Sequence, residues 1–350
     1  MGISKPTLLI DREKVALNID KMIKTAAEAG CIFRPHFKTH QSKEVGKIFR
    51  KKGVKQITVS SVSMAEYFAE DGWNDITIAF PCNILEIDSI NNLAKEVELQ
   101  LMTDSAFTAD FLSKNLTSNC GLFIKIDVGY NRSGLKYNTP EIDEIIKLCE
   151  YNNNLTFKGF LTHDGRNYSA KGKVEIENNL AEAIEIFKHL KQKYPEAIYS
   201  WGDTPSCSLS DDLSFFDELR PGNFVYYDVM QYHIGSCTLD EVSVAAACPV
   251  VSINKSRNEI VIYGGAVHLS KEFIAADNSF TLFGYAVKLE NNKWTNPING
   301  AYVSRLSQEH GIINMPEAEL DNFKPGNIIG ILPIHSCLTA DLLKNEYFLI

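Results

Sequence analysis

Residues 98–128 read ELQLMTDSAFTADFLSKNLTSNCGLFIKIDV. Two short β-rich apolar runs, 98–103 and 121–128, flank 105–114, where the composition is helical and apolar residues recur three or four apart. Strand, helix and strand in that order predict a parallel sheet. The alternation continues in both directions. Strand-like runs recur at 31–37, 56–61, 75–80, 156–163, 197–202 and 222–228, and helix-like stretches at 12–29, 62–71, 84–95, 140–151 and 172–193. Eight βα repeats in about 230 residues match the size of a closed (β/α)8 TIM-type barrel. The barrel is expected to span 12–240. Beyond it the pattern turns to strands and turns at 243–253, 258–264, 281–290, 301–306 and 327–333. Residues 241–350 are therefore expected to form a β-rich C-terminal domain with 1–11 packed on it. The predicted class is α/β, a barrel followed by a β domain.

Composition agrees with two soluble domains. A chain of 350 residues exceeds what one core usually serves, and 45% hydrophobic with 23% charged residues is ordinary for a globular protein. A formal charge of −9 without a long basic block argues against a nucleic-acid partner. The short run Arg50, Lys51, Lys52 and Lys55 ends a predicted helix, where cations meet the dipole and solvent. No apolar run approaches the roughly 20 residues that span a bilayer, and Met1 to Asp11 lacks the pattern of a secretory leader, so a cytoplasmic protein is expected. The eight cysteines are scattered with no CxxC pair, which predicts reduced thiols.

Several segments stand at the carboxyl ends of predicted strands or close the chain. They are Arg34-Pro-His-Phe-Lys-Thr-His40, Asp127-Val-Gly-Tyr-Asn-Arg132, Thr162-His-Asp-Gly-Arg-Asn-Tyr168, Gly202-Asp-Thr-Pro-Ser206, Glu218-Leu-Arg-Pro-Gly222 and Pro333-Ile-His-Ser-Cys337. In this order they resemble the motifs of the fold-type III pyridoxal-phosphate enzymes related to D-serine dehydratase and D-threonine aldolase, whose barrel is similar to the N-terminal domain of alanine racemase. The resemblance covers nearly the whole chain. It implies that Lys38 carries pyridoxal 5′-phosphate covalently and is the catalytic residue, with His36 beside it. It also implies that Arg132 lies near the cofactor ring, that Tyr168 faces the pyridine nitrogen as in dehydratase-like members, and that the protein is a homodimer.

Elementary chemistry supports these roles. A lysine that must lose a proton needs a partly desolvated place with cationic neighbours, and Arg34, His36 and His40 surround Lys38 in sequence. Phosphate sites in barrels commonly follow strands seven and eight, which points to Gly202, Thr204 and Ser206, and to Gly222 with Asn223 opening the eighth strand. Taken alone each has a plain reading, a solvated lysine or a simple turn. His335 and Cys337 are two apart in a segment that reads as a strand end, so their side chains are expected on one face. Imidazole with thiolate suits Zn better than Mg or Mn, although another divalent ion is not excluded. In the resemblance a cysteine at the second ligand position is the dehydratase pattern, where aldolases carry a carboxylate.

The expected activity is a metal-assisted lyase acting on a small D-3-hydroxy amino acid, D-serine first. D-threonine aldolase, a racemase drawing its second base from Tyr263, Tyr285 or Tyr302, and a non-catalytic pyridoxal-phosphate-binding protein stay open. Gly264-Gly-Ala-Val-His268 departs from the family pattern, which leaves the exact substrate undecided. Gln308-Glu-His-Gly311 reads equally as a substrate contact or an exposed turn.

Overall fold

The computed structural model describes residues 2–276, 280–291 and 293–350. The chain divides into two compact units, one of residues 20–38 and 43–222, the other of residues 1–19, 39–42 and 223–350. The first strand, β1 (Thr7–Ile10), belongs to the second unit.

The first unit is a parallel barrel. Its strands are β2 (Ile32–Phe33), β3 (Gln56–Val59), β4 (Asp75–Pro81), β5 (Glu98–Thr103), β6 (Cys120–Lys125), β7 (Leu155–His163), β8 (Ile198–Gly202) and β9 (Glu218–Leu219). They hydrogen-bond in the order β2-β9-β8-β7-β6-β5-β4-β3. A single bridge between His36 and Thr58 joins the two edges, with Phe37 N donating to Thr58 O at 2.8 Å and Thr58 N to Pro35 O at 2.9 Å. The β-branched and aromatic residues that marked these strands in the sequence are their buried residues, among them Ile57, Val59, Ile76, Phe123, Ile124 and Phe160.

The eighth strand differs from expectation. Residues 223–225 form a 3-10 turn, and the barrel is completed instead by the two residues Glu218–Leu219. Pro221 has no N–H to give a ladder, so pairing stops before the apolar run 224–227 begins. That run is wholly buried, and a short buried run cannot be told from a strand by periodicity.

Arg34 is a structural plug. Its Nε lies 2.5 Å from Glu218 Oε2 and its Nη1 2.5 Å from Asp75 Oδ1, and these carboxylates begin β9 and β4. Burial opposes the charge of Arg34, but Glu218 and Asp75 outweigh it and raise its pKa. Breaking such a buried pair leaves stranded charge, so Arg34→Met should cost about 3 kcal/mol in urea unfolding. An unchanged denaturation midpoint would show the pairing to be dispensable.

The second unit is built around a largely antiparallel sheet. Its later strands are β10 (Val244–Asn254), β11 (Glu259–Tyr263), β12 (Ile274–Ala276), β13 (Phe280–Leu282), β14 (Gly284–Glu290), β15 (Lys293–Leu306), β16 (His310–Asn314), β17 (Ile328–Pro333) and β18 (Tyr347–Leu349). The order β11-β16-β15-β14-β17-β10 closes on itself because β10 also pairs with β11; β1 and, parallel to it, β18 extend it beyond β10, while among the described residues β12 and β13 pair only with each other. β1 runs antiparallel to β10, from Thr7 opposite Ala247 to Ile10 opposite Val244. Ala245, Ala246, Ile260, Ile262, Val303, Ile313, Ile329 and Ile331 form its buried core. Among the described residues no helix is long and apolar enough to cross a membrane.

Candidate active site

In the barrel unit, side chains at the carboxyl ends of the strands create a cationic mouth. Lys38 follows β2, and its backbone N–H donates to His36 Nδ1 at 3.3 Å. Contrary to the expectation of desolvation, the Lys38 side chain is exposed. It stands past the end of a two-residue strand, where the chain leaves the barrel wall. A desolvated lysine of this unit is Lys125, which ends β6. Burial, then the charges of Arg132 and Arg220, bring it down to about 8 against the opposing pull of Asp104 and Asp127.

His163 ends β7 and is the residue that the sequence reading passed over. Its Nδ1 lies 2.8 Å from Gly202 O. A carbonyl only accepts, so Nδ1 carries the proton and Nε2 keeps its lone pair. Burial first, then Lys38, Arg132, Lys125 and Arg220, hold its pKa well below the usual range. His163 is thus neutral, and the four cations share one region. The Tyr168 ring centre is 5.7 Å from that of His163, and its hydroxyl accepts from Thr204 N at 3.4 Å. Arg132 is exposed, with its guanidinium 5.2 Å from the centre of the Tyr130 ring.

The expected phosphate residues divide. Thr204 and Gly222 are buried near the strand ends. Gly202 leaves room for Arg220, since a Cβ there would stand 3.1 Å from Arg220 Nη1 and press on it. Arg220 in turn is tied to Ser200 Oγ and Thr162 O, each at 2.6 Å. Ser206 is not an available phosphate donor. Its hydroxyl donates to Asp203 Oδ2 at 2.7 Å and accepts from Trp201 Nε1 at 2.6 Å. Asp203 caps the short helix Thr204–Leu209, and burial pushes its pKa up to about 7.

The second unit holds His335 and Cys337, the two residues expected as metal ligands. The strand reading of Pro333 to Cys337 is corrected: β17 stops at Pro333, His335 is the N-cap of the helix Ser336–Leu342, and Cys337 lies in its first turn. The two side chains are brought together by a strand-to-helix turn and not by the pleat. Burial pulls His335 down, but the hydrogen-bonded Cys337 sulfur with its charge and Asp228 more than offset this, leaving it at about 9. His335 Nδ1 is buried and has no hydrogen-bond partner among the described residues. An unpartnered buried imidazole nitrogen beside a cysteine is a donor set that suits zinc. No third His, Cys, Asp or Glu joins them among the described residues.

Asn223 also belongs here by its side chain. Its Nδ2 donates to Asp228 Oδ2 at 2.7 Å and to Ser336 Oγ at 3.1 Å. Only its backbone N–H remains to serve a phosphate.

The departure at Gly264–His268 has a packing cause. A Cβ at Gly265 would lie 2.3 Å from Gln308 O, and one at Gly264 2.6 Å from Cys248 Sγ. Ala266 N donates to Ser307 O at 2.8 Å, so this segment clamps the exposed turn 308–310. Of the tyrosines considered as a second base, Tyr285 is engaged by His233 Nε2 at 3.0 Å, and burial raises its pKa.

Known proteins share this plan. The family model described as the N-terminal domain of alanine racemase matches residues 10–229, and one described as a putative serine dehydratase domain matches residues 243–349. D-serine dehydratase of Dictyostelium discoideum is 29% identical over 381 residues, covering 99% of this chain and 93% of that protein. D-threo-3-hydroxyaspartate dehydratase of Delftia sp. (strain HT23) is 25% identical over 354 residues, covering 97% of this chain and 92% of that protein. The solved structure of an alanine racemase-like protein from Idiomarina loihiensis superimposes with a TM-score of 0.87 at 25% identity, covering 97% of this chain and 92% of that one. With a parallel barrel of this topology and a family match over most of its length, the chain belongs to the alanine racemase N-terminal-domain family of fold-type III pyridoxal-phosphate proteins.

Proposed function

We propose that the chain is a pyridoxal-phosphate-dependent, metal-assisted lyase that converts D-serine to pyruvate and ammonia. The observation that carries this reading is the His335–Cys337 pair, with a buried imidazole nitrogen lacking a protein partner, inside the segment matched as a putative serine dehydratase domain. The cofactor fits the barrel unit on charge: Lys38, Lys125, Arg132 and Arg220 gather around neutral His163, where a dianionic phosphate and an aromatic ring would be welcome.

When bound, the cofactor supplies an electron sink for the pair left at Cα, and the metal a Lewis acid for the departing hydroxyl. The protein's own groups do the rest. Lys38 Nζ holds the cofactor until substrate arrives and then takes the Cα proton. Tyr168, whose hydroxyl accepts from Thr204 N, would serve the ring nitrogen as a neutral partner. His36 and Arg132 would lie beside the ring, while Gly202, Thr204, Gly222 and the backbone of Asn223 would hold the phosphate. His335 and Cys337 hold the metal, with zinc as the first choice. Loss of the Cα proton and the Cβ hydroxyl removes one water from D-serine, and hydrolysis of the product returns it, giving pyruvate and ammonia.

The same residues would serve cleavage of the Cα–Cβ bond of D-threonine, and a racemase would add a second base. Purified holoprotein given D-serine, D-threonine and D-alanine separates these readings by product. Pyruvate from D-serine and none from L-serine is expected, because one lysine on one ring face reaches one proton orientation. Equal turnover of both enantiomers would favour a two-base racemase.

Two further features support the expected setting. Phe80 at the end of β4, Leu85 in the 3-10 turn after it, Phe107 in the helix after β5 and Tyr130 after β6 are 57%, 88%, 70% and 41% exposed, and a homodimer would cover them. All eight cysteines are free thiols, which accords with a cytoplasmic protein.

A further inference from the structure

Cys337 is met by hydrogen-bonding side chains from two separate chain segments. Thr39 Oγ1 lies 3.2 Å from its sulfur, and Asn223 Nδ2 lies 3.5 Å from the same atom. Both side chains are removed from solvent, Thr39 at 0% and Asn223 at 2% exposure. The direction of the Asn223 amide is fixed by its surroundings. Asp228 Oδ2 takes one of its hydrogens at 2.7 Å and also accepts from Ser336 N at 2.9 Å, while Asp228 Oδ1 accepts from Gln231 N at 2.9 Å. An ionised carboxylate only accepts, so turning the amide over would set its oxygen against Asp228. The retained orientation leaves Asn223 Oδ1 buried without a partner among the described residues. That cost is tolerated because the nitrogen is held toward Asp228, Ser336 and the sulfur. A neutral thiol is a weak acceptor, whereas a thiolate accepts from several donors at once.

We propose that Thr39 and Asn223 are positioning residues for the metal, two donors that hold the Cys337 sulfur in its metal-binding direction while Asp228 locks the Asn223 amide. The inference rests on the reading of His335 and Cys337 as metal ligands. It reassigns Asn223, by its side chain, from the phosphate to the metal. It also gives the threonine that follows Lys38 a duty distinct from that of the lysine.

The test measures zinc affinity directly and does not depend on turnover. Holoprotein stripped of metal is titrated with Zn2+ in competition with a chromophoric chelator, for the wild type and for Thr39→Val, Thr39→Ser, Asn223→Ala and Cys337→Ala. Outer partners of a metal ligand are typically worth about 10- to 100-fold in affinity, so Thr39→Val and Asn223→Ala should each bind zinc at least about tenfold more weakly. Thr39→Ser keeps the hydroxyl and should bind as the wild type does, which a packing role for the methyl group would not produce. Thermal melts identify any variant that fails to fold. Should Asn223→Ala be such a case, the Val and Ser variants of Thr39 decide alone. Wild-type zinc affinity in Thr39→Val would overturn the proposal while leaving the metal reading intact. A wild type that binds no zinc, or a Cys337→Ala variant that binds it undiminished, would overturn both.

Discussion

Lys38→Ala should lower pyruvate formation from D-serine by about four orders of magnitude, the upper range for removal of a positioned general base. It should also remove the visible absorption of bound cofactor. Stability should hardly change, because the side chain is exposed and supports no core packing. The rival for this role is Lys125, whose pKa is brought down to about 8 and which stands among the same cations. Borohydride reduction of the holoprotein followed by peptide mapping tells the two apart. Cofactor mass on the peptide that contains Lys38 is expected, and cofactor mass on Lys125 would refute the assignment.

His335→Ala and Cys337→Ala should each cost about a thousandfold in D-serine turnover, since Lewis-acid help to a leaving hydroxide is worth several kcal/mol and each 1.4 kcal/mol is about tenfold in rate. Both variants should keep the cofactor absorption, because Lys38 and the barrel strands lie outside the unit that carries the two ligands. Cys337→Asp should retain metal binding but move preference toward manganese, as a carboxylate oxygen suits harder cations than a thiolate does. Loss of bound cofactor together with turnover would instead mean that the pair supports the fold.

Alternation made the barrel legible, because β-rich runs at 98–103 and 121–128 with a helix between them admit few other arrangements. The eighth strand was not legible. Glu218–Leu219 is too short to show a period, while the buried run 224–227 looks like a strand and is none. Motif order singled out Lys38, His335 and Cys337 as candidates, but not the geometry that brings the last two together. Strand alternation was the wrong reason, since His335 caps a helix. The polar residues were the hardest to read. Arg34 lies four positions from Lys38 in sequence and yet spends its charge on Asp75 and Glu218. Ser206 spends its hydroxyl on Asp203 and Trp201, and Asn223 turns its amide to Asp228 and Cys337. A sequence shows that such residues are buried or near a motif, but their partners come from distant segments and appear only once the chain is folded. His163 had a usable signal, a histidine closing a barrel strand, where side chains face the catalytic end.

Pyruvate release from D-serine by chelator-treated holoprotein, before and after zinc is returned, tests the account most directly. The protein should stay coloured throughout, release no pyruvate while metal-free and recover its rate on addition of zinc. Full-rate elimination of water from D-serine by coloured, metal-free protein would contradict it.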